Sequence, residues 1–294
     1  MSETKSLLLS GGFADPHLRA LSSFAKRHGI DVLDLRGAPE SVPDVVFDPQ
    51  SCRLWHDGNL VAPSAAFLRD DVFTKSAADT YAASMSGIVK LLRGFVSVSP
   101  QVFTFNHDGF GRSRSVNKGA ALAVASKIGF TVPKTRFGND RDYLEEWLET
   151  DGPLVQKPVA GGDLCRPLHL TSVQKARIIP PVIVQERVHG PDIRVFRVGQ
   201  NFMSFALRSE HLDYRDDKRP TIECVDTDPE LQSKLEELNS AIGLTWSASD
   251  FKLCPDRGPV YLETNANPMF VGFDKISKGA LVALMFDAMG LIGH

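Results

Sequence analysis

The period of the apolar residues changes several times along this chain, and each change marks an element. Ser6-Leu7-Leu8-Leu9-Ser10 is a continuous apolar run that ends at Gly11-Gly12, the pattern of a buried strand. From Pro16 to His28, Leu18, Leu21, Phe24 and Ala25 recur at helical spacing, and Gly29 stands where a helix stop is expected. Asp31-Val32-Leu33-Asp34-Leu35 predicts a second strand, so the chain opens with a β-α-β unit and a parallel sheet. Arg53 to Val61 reads as a hairpin, because Asp57-Gly58 suits the two positive-φ positions of a tight turn. A helix over 74–94 and a strand from Ser97 to Phe105, with Pro100 near its start, complete a small α/β unit of a common domain size.

Ser113-Arg114-Ser115-Val116-Asn117 then offers capping residues for a helix from Lys118 to Ile128, closed by Gly129 and followed by Val132-Pro133. This predicts an N-terminal α/β domain over 1–112 and a larger region over 113–294. Strands are predicted near 153–159, 182–188, 193–198 and 202–208. A charged loop over 209–220, a helix over 229–242, a hairpin around Asp250 and Glu263, and a terminal helix over 277–291 follow. Strands and helices interleave without strict β-α alternation, which predicts α+β layers rather than one doubly wound sheet. No repeat or low-complexity segment interrupts the pattern.

The 294 residues suffice for one large or two modest domains, and 43% hydrophobic with 23% charged residues is the composition of a soluble globular protein. A net charge of -3 argues against a general binder of nucleic acid or anionic membrane. No apolar run approaches a membrane span, and Met1 to Lys5 do not lead into a long apolar region, so a cytoplasmic protein is expected. Cys52, Cys165, Cys224 and Cys254 form no C-x-x-C pair and read as free thiols.

The hairpin is chemically the richest stretch. Asp250 and Glu263 can face one another on neighbouring strands, and Asn265, two residues past Glu263, projects from the same face. Three such oxygens suit Mg²⁺, which takes one or two carboxylates and leaves its other positions to water and phosphates; they equally suit an acidic, solvated hairpin. Lys157 ends an apolar strand just before Ala160-Gly161-Gly162, where a lysine can reach phosphates that a glycine loop approaches, or stand at an ordinary strand edge. Gln185-Glu186-Arg187-Val188 closes an apolar strand, and such an end can present backbone groups to an adenine edge and a carboxylate to a ribose. Arg194 lies on an alternating strand, and Arg208 and Arg215 lie just before and within the charged loop, where guanidinium groups can hold phosphoryl oxygens or simply be solvated. His107 and His211 are acid-base candidates with a surface role as the plainer reading. Neither a G-x-x-x-x-G-K-[ST] loop nor a G-x-G-x-x-G fingerprint is present.

In order, Lys118, Lys157, Gln185-Glu186, Asp192-Ile193-Arg194, Asp213-Tyr214-Arg215, Asp250 and Glu263-Thr264-Asn265-Ala266-Asn267-Pro268 resemble the ATP-grasp superfamily over residues 105–290. Within it the chain looks most like the RimK-like glutamate ligases and the graspetide (microviridin-type) synthetases of ribosomal peptide modification. The resemblance implies an ATP-grasp fold with a small N-terminal pre-ATP-grasp domain. It implies that Lys118 and Lys157 hold ATP phosphates, that residues 184–188 contact adenine, and that Glu186 or Asp192 lies near the ribose. It implies Mg²⁺, as two ions, on Asp250, Glu263 and Asn265, with Arg194, Arg208 and Arg215 around an acyl phosphate. The reaction implied is ATP-dependent joining of a carboxylate to an amine or hydroxyl on a peptide or protein. The sheet edge and the terminal helix leave room for a homodimer. Two departures matter: Ala160 to Arg166 is poorer in glycine than the family's loop, and Asp216-Asp217 follow Arg215 where glutamate ligases tend to have Ser-Asn. Two carboxylates there disfavour an acidic acceptor and favour an amine or basic one. A ligase for free amino acids or short peptides, like glutathione synthetase or D-alanine ligase, and an ATP-sensing module without turnover are the alternative expectations.

Overall fold

A computed structural model of the chain describes residues 5–38, 41–73, 79–106, 116–159, 165–169, 171, 180–209 and 220–293. The opening unit folds as its pattern dictates. β1 (Ser6–Gly11) and β2 (Asp31–Arg36) run parallel on either side, in sequence, of α1 (Pro16–Arg27), whose N-terminus is capped by Asp15. The Asp57-Gly58 hairpin forms with both residues at positive φ, joining β4 (Arg53–His56) to β5 (Asn59–Val61), and β3 (Val45–Asp48) pairs with β4 to make a three-stranded sheet. β6 (Ala65–Leu68), a four-residue strand too short to stand out in the pattern, lies beside β1 and, with β7 (Phe103–Thr104), completes a parallel sheet in the order β2-β1-β6-β7.

The expected strand from Ser97 to Phe105 is shorter. α2 (Asp79–Ser97) carries the helical stripe Leu92, Phe95, Val96 into the core, and only β7 (Phe103–Thr104) pairs with β6. Val98 is exposed and Pro100 has no N-H to give a ladder, so the sheet cannot begin earlier. Of the expected helix over 74–94, residues 74–78 lie outside the described residues. So does the expected boundary at 112/113.

α3 (Lys118–Ile128) has the expected bounds, with Asn117 accepting from Ala120 N-H and Gly129 closing it at φ 96. A small antiparallel sheet follows in the order β10-β9-β11-β8, from β8 (Thr135–Gly138), β9 (Leu154–Pro158), β10 (Arg166–Pro167) and β11 (Val182–Glu186). α4 (Arg141–Thr150) covers one face of it, burying Leu144 and Trp147 against Leu154 and Val184.

The largest sheet is antiparallel, in the order β14-β13-β12-β15-β16: β12 (Asp192–Val198), β13 (Asn201–Arg208), β14 (Thr221–Val225), β15 (Trp246–Cys254) and β16 (Gly258–Asn265). α5 (Pro229–Ala241) and α3 cover one face through Val195, Phe251 and Tyr261. Phe196, Phe205, Trp246 and Ala248 on the other face merge with Leu7, Phe24 and Phe67 of the first unit into one core. The expected terminal helix divides into α6 (Val271–Ile276) and α7 (Ala280–Ala288), because Lys278 and Gly279 both take positive φ. Two consecutive left-handed residues end any right-handed helix. The parallel opening sheet and the α+β layering are as the pattern called for, and the two later sheets are antiparallel.

Candidate active site

The face of the five-stranded sheet that is core at one end becomes polar at the other. Arg194 pairs in register with Asp250, and Asp250 with Glu263, so three charged residues stand in one cross-strand row. Arg194 donates to both Asp250 oxygens, from Nε at 2.6 Å and Nη2 at 2.8 Å, a bidentate geometry. Its guanidinium also lies 5.3 Å from the centre of the Phe273 ring on α6. Asn265 follows on the same face, with Nδ2 3.3 Å from Glu263 Oε1 and 3.5 Å from Asp250 Oδ2. Lys118, at the first turn of α3, places Nζ 2.9 Å from Glu263 Oε2.

A β-bulge makes this row possible. The register slips between Asp250 and Phe251, leaving Leu262 as the extra residue of β16. Tyr261 and Glu263, two apart, would otherwise share a face. The bulge instead sends Tyr261 inward beside Phe130 and Phe251, where its hydroxyl donates to Thr264, and leaves Glu263 with Asp250. Burial pushes the Tyr261 phenol well above its ordinary range. At Glu263 burial also acts to raise the carboxyl, but the charges of Lys118 and Lys157 and the donors on Lys118 and Asn265 outweigh it, so the net direction is down.

Lys157 comes from the smaller sheet. Its Nζ lies 3.3 Å from Gln185 Oε1, and buried Gln185 in turn donates to Thr135 at 2.9 Å. Gln185 therefore spends its side chain orienting a lysine. Glu186 accepts from Arg257 Nη1 at 2.6 Å, and Asp192 from Lys252 Nζ at 2.8 Å, both across to the β15-β16 hairpin. The backbone N-H groups of Glu186 and Arg187 donate to Lys134 and Pro153 carbonyls, and Val188 is buried. The linker after β11 is pressed against β15: Leu253 N-H donates to Pro191 O, and a Cβ on Gly190, at φ 134, would overlap the Leu253 carbonyl oxygen.

Arg208 is not brought to this cluster. It is the exposed last residue of β13 and pairs with Thr221, and strand alternation puts it with Ala206 and Ile193, opposite Arg194. Arg215, Asp213, Tyr214, Asp216, Asp217, His107, His211 and the Gly161-Gly162 pair lie outside the described residues. Arg257, Lys252, Phe273 and Thr135 carried no sequence signal of their own, because each matters only through a partner on another element.

The donor set fits a hard divalent cation. One aspartate, one glutamate and one amide converge on a single face, too few for an all-protein cage and suited to an ion that keeps phosphate and water. Among the described residues no group of three His, Cys, Asp or Glu side chains is placed to hold a metal ion.

No family model matches the chain. The layered arrangement, a parallel first sheet followed by a small and a larger antiparallel sheet, is the ATP-grasp fold. Particular likenesses are to PsnB, an ATP-grasp ligase solved with a minimal precursor (23% identity, 97% of this chain and 98% of that one, TM-score 0.77), also solved with Mg and ADP. The macrocyclase MdnC of Microcystis aeruginosa MRC, bound with precursor peptide MdnA, aligns at 16% identity over 99% of this chain and 100% of that one (TM-score 0.70). A probable alpha-L-glutamate ligase of Coxiella burnetii is 24% identical over 191 residues, 60% of this chain. That match spans 63% of the relative's length. Among the described residues no helix is long and apolar enough to cross a membrane.

Proposed function

We propose that the protein is an ATP-dependent ligase that joins a carboxylate to an amine or hydroxyl through an acyl phosphate, with a peptide or protein as substrate. The observation that carries this reading is the single cross-strand row of Arg194, Asp250 and Glu263, flanked by Asn265, Lys118 and Lys157. Lys118 and Lys157, from two different elements, both act on the Glu263 carboxylate, and a nucleotide's phosphates are the ligand that two converging lysines and an acidic row with room for a cation would accept together. Asp250, Glu263 and Asn265 would hold Mg²⁺, which when bound would neutralise charge on the phosphates. Gln185 keeps Lys157 aimed at them. The nucleoside would rest along 184–188, with Glu186 and Asp192 placed for its ribose hydroxyls beside the Arg257 and Lys252 pairs. Arg194, fixed by Asp250 and seated on Phe273, would offset charge on the transferring phosphoryl group and on the tetrahedral intermediate.

A peptide substrate is favoured because PsnB and MdnC, which share this fold over nearly the whole chain, were solved with precursor peptides. Residues 1–112 and 113–294 would then be the preceding and catalytic domains. The test is mass spectrometry of acidic, precursor-like peptides incubated with the protein, ATP and Mg²⁺, their carboxylates carrying ¹⁸O. The reading expects loss of one water per bond formed and one ¹⁸O in the released phosphate. Water loss with unlabelled phosphate would contradict the acyl phosphate, and mass gain by an added amino acid would move the substrate to the glutamate-ligase kind.

A further inference from the structure

We infer that Arg69, Asp15 and His17 are positioning residues through which the N-terminal sheet sets the placement of Asn265 and Phe273 in the proposed nucleotide site; the inference rests on that reading of the site. Arg69 follows β6, and both it and Asp15 are almost wholly withdrawn from solvent, at 2% and 0% exposure. Asp15 divides its oxygens: Oδ1 caps α1 by accepting from His17 and Leu18 N-H, and Oδ2 accepts from Arg69 Nε at 2.8 Å. With Nε so fixed, Arg69 Nη1 reaches the segment just beyond β16, donating to Asn267 Oδ1 at 2.5 Å and Pro268 O at 3.3 Å. His17 grips the same segment from α1. Its Nδ1 accepts from both Phe270 and Val271 N-H at 3.3 Å, which supplies the cap that the start of α6 lacks from its own residues. That arrangement leaves the proton on Nε2, 3.0 Å from the Met269 sulfur.

Two groups of the proposed site hang from this clamped segment. Asn265 stands one strand period before Asn267, and Phe273, the seat of Arg194, stands two residues after Val271. Stability alone does not explain a fully buried ion pair, since apolar residues of like volume often serve as well or better. Direction does: a guanidinium held at one edge by a carboxylate can present its other edge at a fixed angle, which an apolar side chain cannot. Asn106 adds a further tie between the same units, donating to the Ala266 carbonyl at 2.9 Å.

The experiment uses the parent chain, two variants and their combination. Arg69→Met with Asp15→Ser removes both buried charges and keeps a capping hydroxyl; Asn267→Ala removes only an acceptor on an exposed residue and tests the clamp even if the double variant does not fold. Binding of a fluorescent ADP analogue is followed as Mg²⁺ is raised, and backbone hydrogen exchange is followed over 265–273. The clamp predicts that the Mg²⁺ midpoint rises about tenfold or more in each variant, that exchange over 265–273 quickens, and that combining the changes adds little. Unchanged exchange and an unchanged midpoint in Asn267→Ala would overturn it. A parent protein that binds no nucleotide at any Mg²⁺ concentration would sink the proposed function instead, and the exchange comparison would still decide the clamp.

Discussion

Burial alone would hold the Glu263 carboxyl protonated to higher pH, yet Lys118 and Lys157 turn the balance toward the anion. In the proposed reading the row would take a cation without first losing a proton. Glu263→Gln keeps the shape and removes the charge, and is expected to lower ADP formation about a hundredfold with little change in thermal midpoint; steady-state kinetics beside a melting curve checks both. His17 gives the pH dependence. Burial, and then the Arg69 charge, push its pKa from 6.5 down to about 4. The unfolded chain takes up this proton first, so the stability from neutral His17 is complete above about pH 6.5 and is lost as pH falls toward about 4. Urea midpoints on either side of that window should therefore differ, and His17→Gln should shrink the difference. Equal pH dependence in parent and variant would contradict the neutral, capping role.

At the scale of elements, what was legible followed from local chemistry. The helix from Lys118 to Ile128 carries its own cap and stop, and the Asp250-Glu263 hairpin carries its own alternation, so both could be read without knowing their neighbours. The Leu262 bulge could not, because its signal is the inward packing of Tyr261 against Phe130 and Phe251 from elsewhere in the chain. Nor could the hold of Arg69 on Asn267, 198 residues away, or the contact of the Gln185 side chain with Lys157 on the neighbouring strand. Arg208 lies on the face opposite Arg194 for a simpler reason: one residue along a strand is the other face. Gly190 makes the most exacting local demand. Gly190→Ala requires positive φ and meets the Leu253 carbonyl at once, so it should destabilise by about 2 kcal/mol or more, read as a lower denaturant midpoint at unchanged slope.

One core crosses the expected boundary near 112. Leu7, Phe24 and Phe67 from the first unit pack with Phe196, Phe205, Trp246, Phe270 and Phe286 from the last. The first unit and the five-stranded sheet should therefore unfold together: in a Trp55→Phe, Trp147→Phe background, Trp246 fluorescence and hydrogen exchange of the β1 amides should report one denaturant midpoint, and two separated midpoints would show independent domains. The same joint core carries the Arg69 clamp to the proposed site, linking fold to function. The most direct measurement of that function is calorimetric titration of ATP, with and without Mg²⁺, into the parent protein and Asn265→Ala. One nucleotide per chain, bound tightly only with Mg²⁺ and about tenfold or more weaker in the variant, is the predicted result; no binding, or binding equally strong without Mg²⁺ and in the variant, would contradict it.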